Sequence, residues 1–158
     1  FLFVLQGTFG PFRRDVPTEV PLWMALKFKR DSKCKIEPPS WLTVGRLRSS
    51  LAWEEAHPAA LGELPPRFLE VGELLLRHAR GDMEEGEEVR QLLRDLESVR
   101  SEKLRRGRRG LLRDARGGVV ASAVSLNHLA VAEADELRSG LLGALARLDQ
   151  LQAAQAEA

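Results

Sequence analysis

The stretch Val89-Arg90-Gln91-Leu92-Leu93-Arg94-Asp95-Leu96-Glu97-Ser98-Val99 decides the fold class. Val89, Leu92, Leu93, Leu96 and Val99 recur at i, i+3, i+4, i+7 and i+10, which gathers them on one face of an α-helix. Glu84, Glu85, Glu87 and Glu88 crowd the expected first turn, where the helix dipole favours negative charge. Working upstream, Phe68, Val71, Leu75 and His78 form a second helical stripe, which Leu74 widens. Before it, Val44, Leu47 and Leu51 follow Thr43, a residue type suited to an N-cap. His57-Pro58 and Pro65-Pro66 bracket the linker between these two helices. Downstream, Gly107 and Gly110 in an Arg-rich setting predict a break, followed by a helix from about Leu126 to Leu151. Leu137, Leu141, Leu145 and Leu148 line one side of that helix and Leu142 extends it. Residues 41–158 are thus expected to form an all-α, bundle-like domain.

Residues 1–40 have a different character. Phe1, Phe3, Phe9, Phe12, Trp23 and Phe28 fall here, together with Pro11, Pro17, Pro21, Pro38 and Pro39. The apolar run from Phe1 to Leu5, followed by Gly7, Gly10 and Pro11, predicts a strand, a turn and an irregular return. A short helix is expected to start around Pro21 and end near Lys29, since proline is tolerated in a first turn. Lys35-Ile36 should be extended, because Pro38-Pro39 follow closely. The predicted class is mainly α, with a small β-rich α/β domain at residues 1–40 ahead of the helical domain at 41–158. The chain opens at Phe1 without a methionine, which reads as a shortened N-terminus.

Composition narrows the function classes. The chain is 44% hydrophobic and 30% charged, with 24 basic against 23 acidic residues, a balance outside the intrinsically disordered class. A formal net charge of +1 supplies no global attraction to nucleic acid or acidic lipid. Apolar runs such as Leu74-Leu75-Leu76 are too short to cross a bilayer. Cys34 is the only cysteine, so no disulfide forms within the chain, and a reducing compartment is indicated.

Evidence for catalysis is thin. The sequence has no phosphate-binding glycine loop, no GxGxxG and no HExxH. A Cys–His pair would need Cys34 beside His57, His78 or His128. Cys34 lies between Lys33 and Lys35, where alternation buries it, so an ordinary role as a small apolar side chain is strongly favoured over nucleophilic duty. With three histidines and one cysteine, the sequence suggests no metal site, and it points to no cofactor. Arg100 to Arg116 is the main charge concentration, with eight basic against two acidic residues and a local net charge of +6. Such a segment suits phosphate contact, with Arg105, Arg106, Arg108 and Arg109 as candidates. It carries no aromatic residue for base stacking, and a solvated basic connection is the competing reading. The leucines of the last helix spread around more than one side. They can fill this chain's own core or meet a partner helix, and periodicity alone leaves both open.

Three motifs carry a resemblance. They are Gly10-Pro11-Phe12, Val20-Pro21-Leu22-Trp23-Met24-Ala25, and Lys33-Cys34-Lys35-Ile36-Glu37-Pro38-Pro39-Ser40-Trp41-Leu42. With Leu74-Leu75-Leu76-Arg77-His78-Ala79 and Lys103-Leu104-Arg105 in register, the sequence resembles the Psf-two family of GINS subunits. The match is strong to about residue 104 and looser beyond. Residues 105–118 depart from the family pattern, and an upstream strand-forming segment of the family lacks a counterpart. The resemblance implies a non-catalytic scaffold in a heterotetramer with three other GINS subunits. It also implies a nuclear location and association with the minichromosome-maintenance helicase hexamer, its RecJ-like cofactor and DNA polymerase epsilon. By position it implies that Trp23 fills the small domain and that Trp41 packs the junction between domains. Phe68, Leu92, Leu96, Val99, Leu137, Leu141 and Leu145 are the further candidates for core or subunit interface.

Overall fold

The computed structural model describes residues 9–13, 15–117, 127–140 and 142–143, with side chains of 110–117 outside the description. Its elements are α1 (Leu22–Arg30), α2 (Val44–Ala56), α3 (Phe68–His78), a 3-10 turn (Arg80–Asp82), α4 (Gly86–Gly117) and α5 (131–140). The molecule is mainly helical, and among the described residues no strand forms. The strand expected over Phe1–Leu5 lies outside them.

The predicted β-rich character of residues 1–40 is therefore corrected for the part described, and the physical reason is visible. Around Ile36 the chain is non-helical, but the Ile36 N–H donates to Asp82 Oδ2 at 2.8 Å. That donor is spent on a side chain and not on a neighbouring strand. The other Asp82 oxygen accepts from Lys29 Nζ at 2.6 Å. One carboxylate in the 3-10 turn thus clamps both α1 and the chain after it. Burial alone would raise the Asp82 pKa, but the Ile36 N–H and the Lys29 ammonium outweigh it and hold the carboxyl below its ordinary value.

Helix α1 begins after Pro21, whose carbonyl accepts from the N–H groups of Met24 and Ala25 at 2.9 and 3.1 Å. It ends in a Schellman turn, with Ser32 at φ 57. There the Lys33 N–H donates to the Phe28 carbonyl at 2.9 Å and the Ser32 N–H to the Lys29 carbonyl at 3.0 Å. Helix α2 starts where expected, after Thr43, but the Thr43 hydroxyl makes no capping bond to the helix. It turns instead to the Ser40 carbonyl at 3.4 Å.

The core joins all of these parts. Leu22, Leu42, Leu47, Phe68, Leu75 and Leu96 belong to one buried cluster, with Ile36, Trp41 and Leu51 packed against it. Val89, Leu92, Leu93 and Leu96 are buried, as the opening stretch requires. The face of α3 differs from expectation. Phe68, Gly72, Leu75, Leu76 and Ala79 point inward, Val71 and Leu74 are half-buried, and His78 is exposed. Gly72 explains the shift. A Cβ there would sit 2.7 Å from Leu93 Cδ1, so its absence lets α3 settle directly on α4.

Helix α4 is also longer than predicted. No break occurs at Gly107 or Gly110, and 32 helical residues span about 48 Å. Each interior glycine costs only about 1 kcal/mol relative to alanine, and Gly107 is itself buried beside the buried Leu104. Helix α5 begins at 131 and not near Leu126. Its start is fixed by Glu133 Oε2, which accepts from the Ala130 N–H at 2.8 Å, one half of a capping box. The predicted extension to Leu151 lies outside the described residues.

Candidate interaction surfaces and the buried charge cluster

The α2 stripe Val44, Leu47 and Leu51 continues one turn later to Glu54, and the α4 stripe Val89, Leu93 and Leu96 continues to Arg100 and Lys103. Period alone therefore drives three charges into the interior. Arg100 is 0% exposed, Glu54 1%, Glu133 5% and Lys103 6%. Buried charges are tolerated only when paired and hydrogen-bonded, and these are. Arg100 Nε and Nη2 donate to the two oxygens of Glu133 at 2.6 and 2.9 Å. Its Nη1 donates to Glu54 Oε1 at 2.6 Å and to the Gly62 carbonyl at 3.1 Å. Its Nη2 also reaches the His128 carbonyl at 2.8 Å. Glu54 further accepts from Lys103 Nζ and, at 3.0 Å, from the Gly62 N–H. Burial by itself would lower the Arg100 pKa, but Glu133 and then Glu54 reverse that and hold the guanidinium charged above its ordinary value.

This cluster binds four parts of the fold at one point: α2, the loop through Gly62, α4 and the start of α5. Gly62 is required by space, since a Cβ would meet the Trp53 ring at 2.8 Å and Glu54 Oε1 at 3.3 Å. The Val131 N–H adds a bond to the Pro66 carbonyl at 2.8 Å. With its donors and acceptors answered by one another, the cluster presents no free group to a substrate. Its chemistry is structural.

It also revises the basic segment. Arg100 and Lys103 spend their charge inside the protein. Arg106 pairs with Glu102 at 2.9 Å, and Arg108 is partly covered, lying against Gly140 of α5. Arg105, Arg106 and Arg109 are exposed. The positive surface on this part of α4 is thus narrower than the sequence count suggests. Cys34 is half-buried with its thiol 3.8 Å from the Ala25 carbonyl. His57 stacks on Trp53 with ring centroids 4.2 Å apart, so neither residue faces the other.

The remaining candidates divide. Phe68, Leu92 and Leu96 are buried, and Trp41, Val99 and Leu137 are half-buried. Leu141 and Leu145 lie outside the described residues. Trp23 does not fill the small domain. It is 49% exposed on the outer face of α1, because Leu22 and Leu26 occupy the inner face. Phe12, Val16 and Leu142 are also exposed. Single exposed apolar side chains are ordinary on protein surfaces, and a contiguous patch of them is what marks a contact face.

Comparison with known proteins agrees with this architecture. Residues 2–37 match the PSF2 N-terminal domain, and residues 41–151 match the GINS complex protein helical bundle domain. The chain is 34% identical over 149 residues to the DNA replication complex GINS protein PSF2 of Candida albicans, covering 93% of this chain and 70% of that protein. It is 34% identical over 104 residues to the protein of the same name from Homo sapiens, covering 66% and 56%. It is 36% identical over 104 residues to the probable PSF2 of Caenorhabditis elegans, covering 66% and 57%. The chain thus spans little more than half the length of the human and nematode relatives. Two successive domain matches across nearly all of its residues establish that it belongs to the PSF2 family of GINS complex proteins.

Proposed function

We propose that the chain is a non-catalytic structural subunit of the GINS heterotetramer, acting in DNA replication by holding other proteins in a fixed relation. The observation that carries this reading is the ordered pair of family matches over residues 2–37 and 41–151. The exposure of Trp23 and Leu142 supports it, because an obligate subunit leaves such side chains for its neighbours to cover. The partners are three other GINS subunits, with residues 1–40 and 41–158 acting as two units of the assembly. Through the assembly the chain serves the minichromosome-maintenance hexamer, its RecJ-like cofactor and DNA polymerase epsilon in the nucleus. The buried Arg100 cluster fits a rigid positioning role, since it locks several segments without offering a reactive group. Co-expression with the other three subunits, read by native mass, is expected to give a 1:1:1:1 complex. A chain that purifies as a stable monomer, and whose melting the other subunits leave unchanged, contradicts the reading.

A second reading is a nucleic-acid adaptor acting through the basic segment 100–116. The exposure of Arg105, Arg106 and Arg109 favours it. It requires salt-sensitive binding to DNA that weakens when these three become alanine. Unchanged binding discards it.

A further inference from the structure

The chain that follows α1 is irregular, and no strand forms in it. Ser32 stands at its start, exposed and at φ 57 in the turn that closes the helix. Its N–H donates to the Lys29 carbonyl at 3.0 Å, while its hydroxyl bonds to no other described residue. The surrounding sequence is Lys27-Phe28-Lys29-Arg30-Asp31-Ser32-Lys33-Cys34-Lys35. Lys29 and Arg30 thus stand three and two residues ahead of an accessible hydroxyl in non-helical chain. Ser49 and Ser50 also follow two basic residues, Arg46 and Arg48. Both lie inside α2, however, and the Ser49 hydroxyl is spent on the Gly45 carbonyl at 2.9 Å.

The same turn adjoins the Asp82 clamp. Lys29, whose carbonyl accepts from Ser32, gives its ammonium to Asp82 at 2.6 Å. Lys35 adds a second favourable charge at that carboxylate, and the Ile36 N–H donates to its other oxygen. Lys29 and Ile36 fall within residues 2–37 and Asp82 within residues 41–151, the two stretches matched by separate family domains. Two of the cations around Ser32 are therefore the ones that hold the two stretches together at this point. Leu22 is a separate anchor, buried in the common core.

We propose that Ser32 is a phosphorylation site for a protein kinase that selects basic residues ahead of the acceptor, and that the phosphate loosens the Asp82 clamp. The acidic substrate pocket of such a kinase reads Arg30 and Lys29 by charge. The Ser32 hydroxyl oxygen bonds to the γ-phosphorus of a nucleoside triphosphate, and the bond from that phosphorus to the β,γ-bridging oxygen breaks. The nucleoside diphosphate leaves, and the hydroxyl proton passes to the catalytic carboxylate of the kinase. The product brings nearly two negative charges and three strong acceptors to the end of α1, where the helix dipole is already negative. It competes with Asp82 for Lys29 and Lys35. Asp82 then loses its counter-charges, and its bond to the Ile36 N–H weakens. Leu22 stays in the core, so the change is confined to the chain around residues 29–37. The coupling runs both ways: a chain without the Lys29–Asp82 pair offers Lys29 to the kinase more freely.

The test incubates the full-length chain with the catalytic subunit of cAMP-dependent protein kinase and ATP, and follows intact mass and the modified peptide. The wild-type chain is expected to take up phosphate at Ser32. Ser32→Ala should lose that uptake, Ser49→Ala should leave it unchanged, and Arg30→Ala should slow it by about tenfold or more. Asp82→Asn should be phosphorylated faster than wild type, a change that a surface serine unconnected with the clamp would not show. Hydrogen exchange at the Ile36 amide should rise by about threefold to tenfold in the phosphorylated wild type, and by less in phosphorylated Asp82→Asn. Absence of phosphate at Ser32, or equal uptake by Ser32→Ala, overturns the proposal. Phosphate at Ser32 with Ile36 exchange unchanged and Asp82→Asn no faster overturns the link to the clamp.

Discussion

Replacing Arg100 by methionine removes the guanidinium but keeps an unbranched side chain in its place. Glu54 retains Lys103 and the Gly62 N–H, so its charge stays answered. Glu133 keeps only the Ala130 N–H, and its carboxylate stays buried with one oxygen unpaired. Breaking a buried pair from one side costs about 3–5 kcal/mol, most of it the uncompensated charge left behind. The loss falls on the segment that Arg100 holds, namely His128 to Glu133, while the α2–α4 contact keeps Leu47 and Leu96 in place. Hydrogen exchange at the Ala130 and Val131 amides reads it directly, because both are bonded in this corner. An increase of roughly a hundredfold to several thousandfold corresponds to that energy. A second substitution, Glu133→Gln in the Arg100→Met background, is expected to recover part of the loss, since it removes the stranded charge. Exchange rates within threefold of wild type at both amides would refute the claim that the cluster docks α5.

Three further outcomes follow from particular contacts. Gly72→Ala places a Cβ 2.7 Å from Leu93 Cδ1, and a urea titration of the assembled protein is expected to show a loss of about 1–3 kcal/mol despite the better helix propensity of alanine. Gly62→Ala forces the Trp53 ring and Glu54 apart, so a shift in Trp53 fluorescence is expected together with a loss of similar size. Asp82 has a folded pKa below its unfolded value, so its contribution is present above the unfolded carboxyl pKa, about 3.9, and is lost as pH falls through the lowered folded value. Protection of the Ile36 amide relative to its intrinsic exchange rate should therefore fall below about pH 4, and in Asp82→Asn that protection should no longer change with pH in this range.

The period of Val89 to Val99 and the motif residues from Pro21 to Trp41 made the helical class and the family legible in the sequence. The charge cluster was legible too, but in the period and not in the composition. Glu54, Arg100 and Lys103 occupy the next turns of two apolar stripes, so their position calls for burial and their charge calls for partners. Counting Arg100 and Lys103 as part of a basic segment hid this. Gly107 and Gly110 suggested a break because glycine weakens an isolated helix, whereas tertiary contact along α4 decides the outcome. The inward face of α3 turned on Gly72, whose role is the absence of a side chain and leaves no mark in an apolar pattern. Glu133 lay too far along the chain for any spacing rule to pair it with Arg100. The family resemblance implied that Trp23 fills the small domain, yet its neighbours Leu22 and Leu26 hold the inner face of α1.

Side-chain footprinting of Trp23 and Leu142, comparing the chain free and bound to the other three GINS subunits, tests whether companion chains cover these apolar side chains. Strong protection of both on assembly is the predicted result. Equal reactivity in the two states, with the complex shown to be intact, would contradict it.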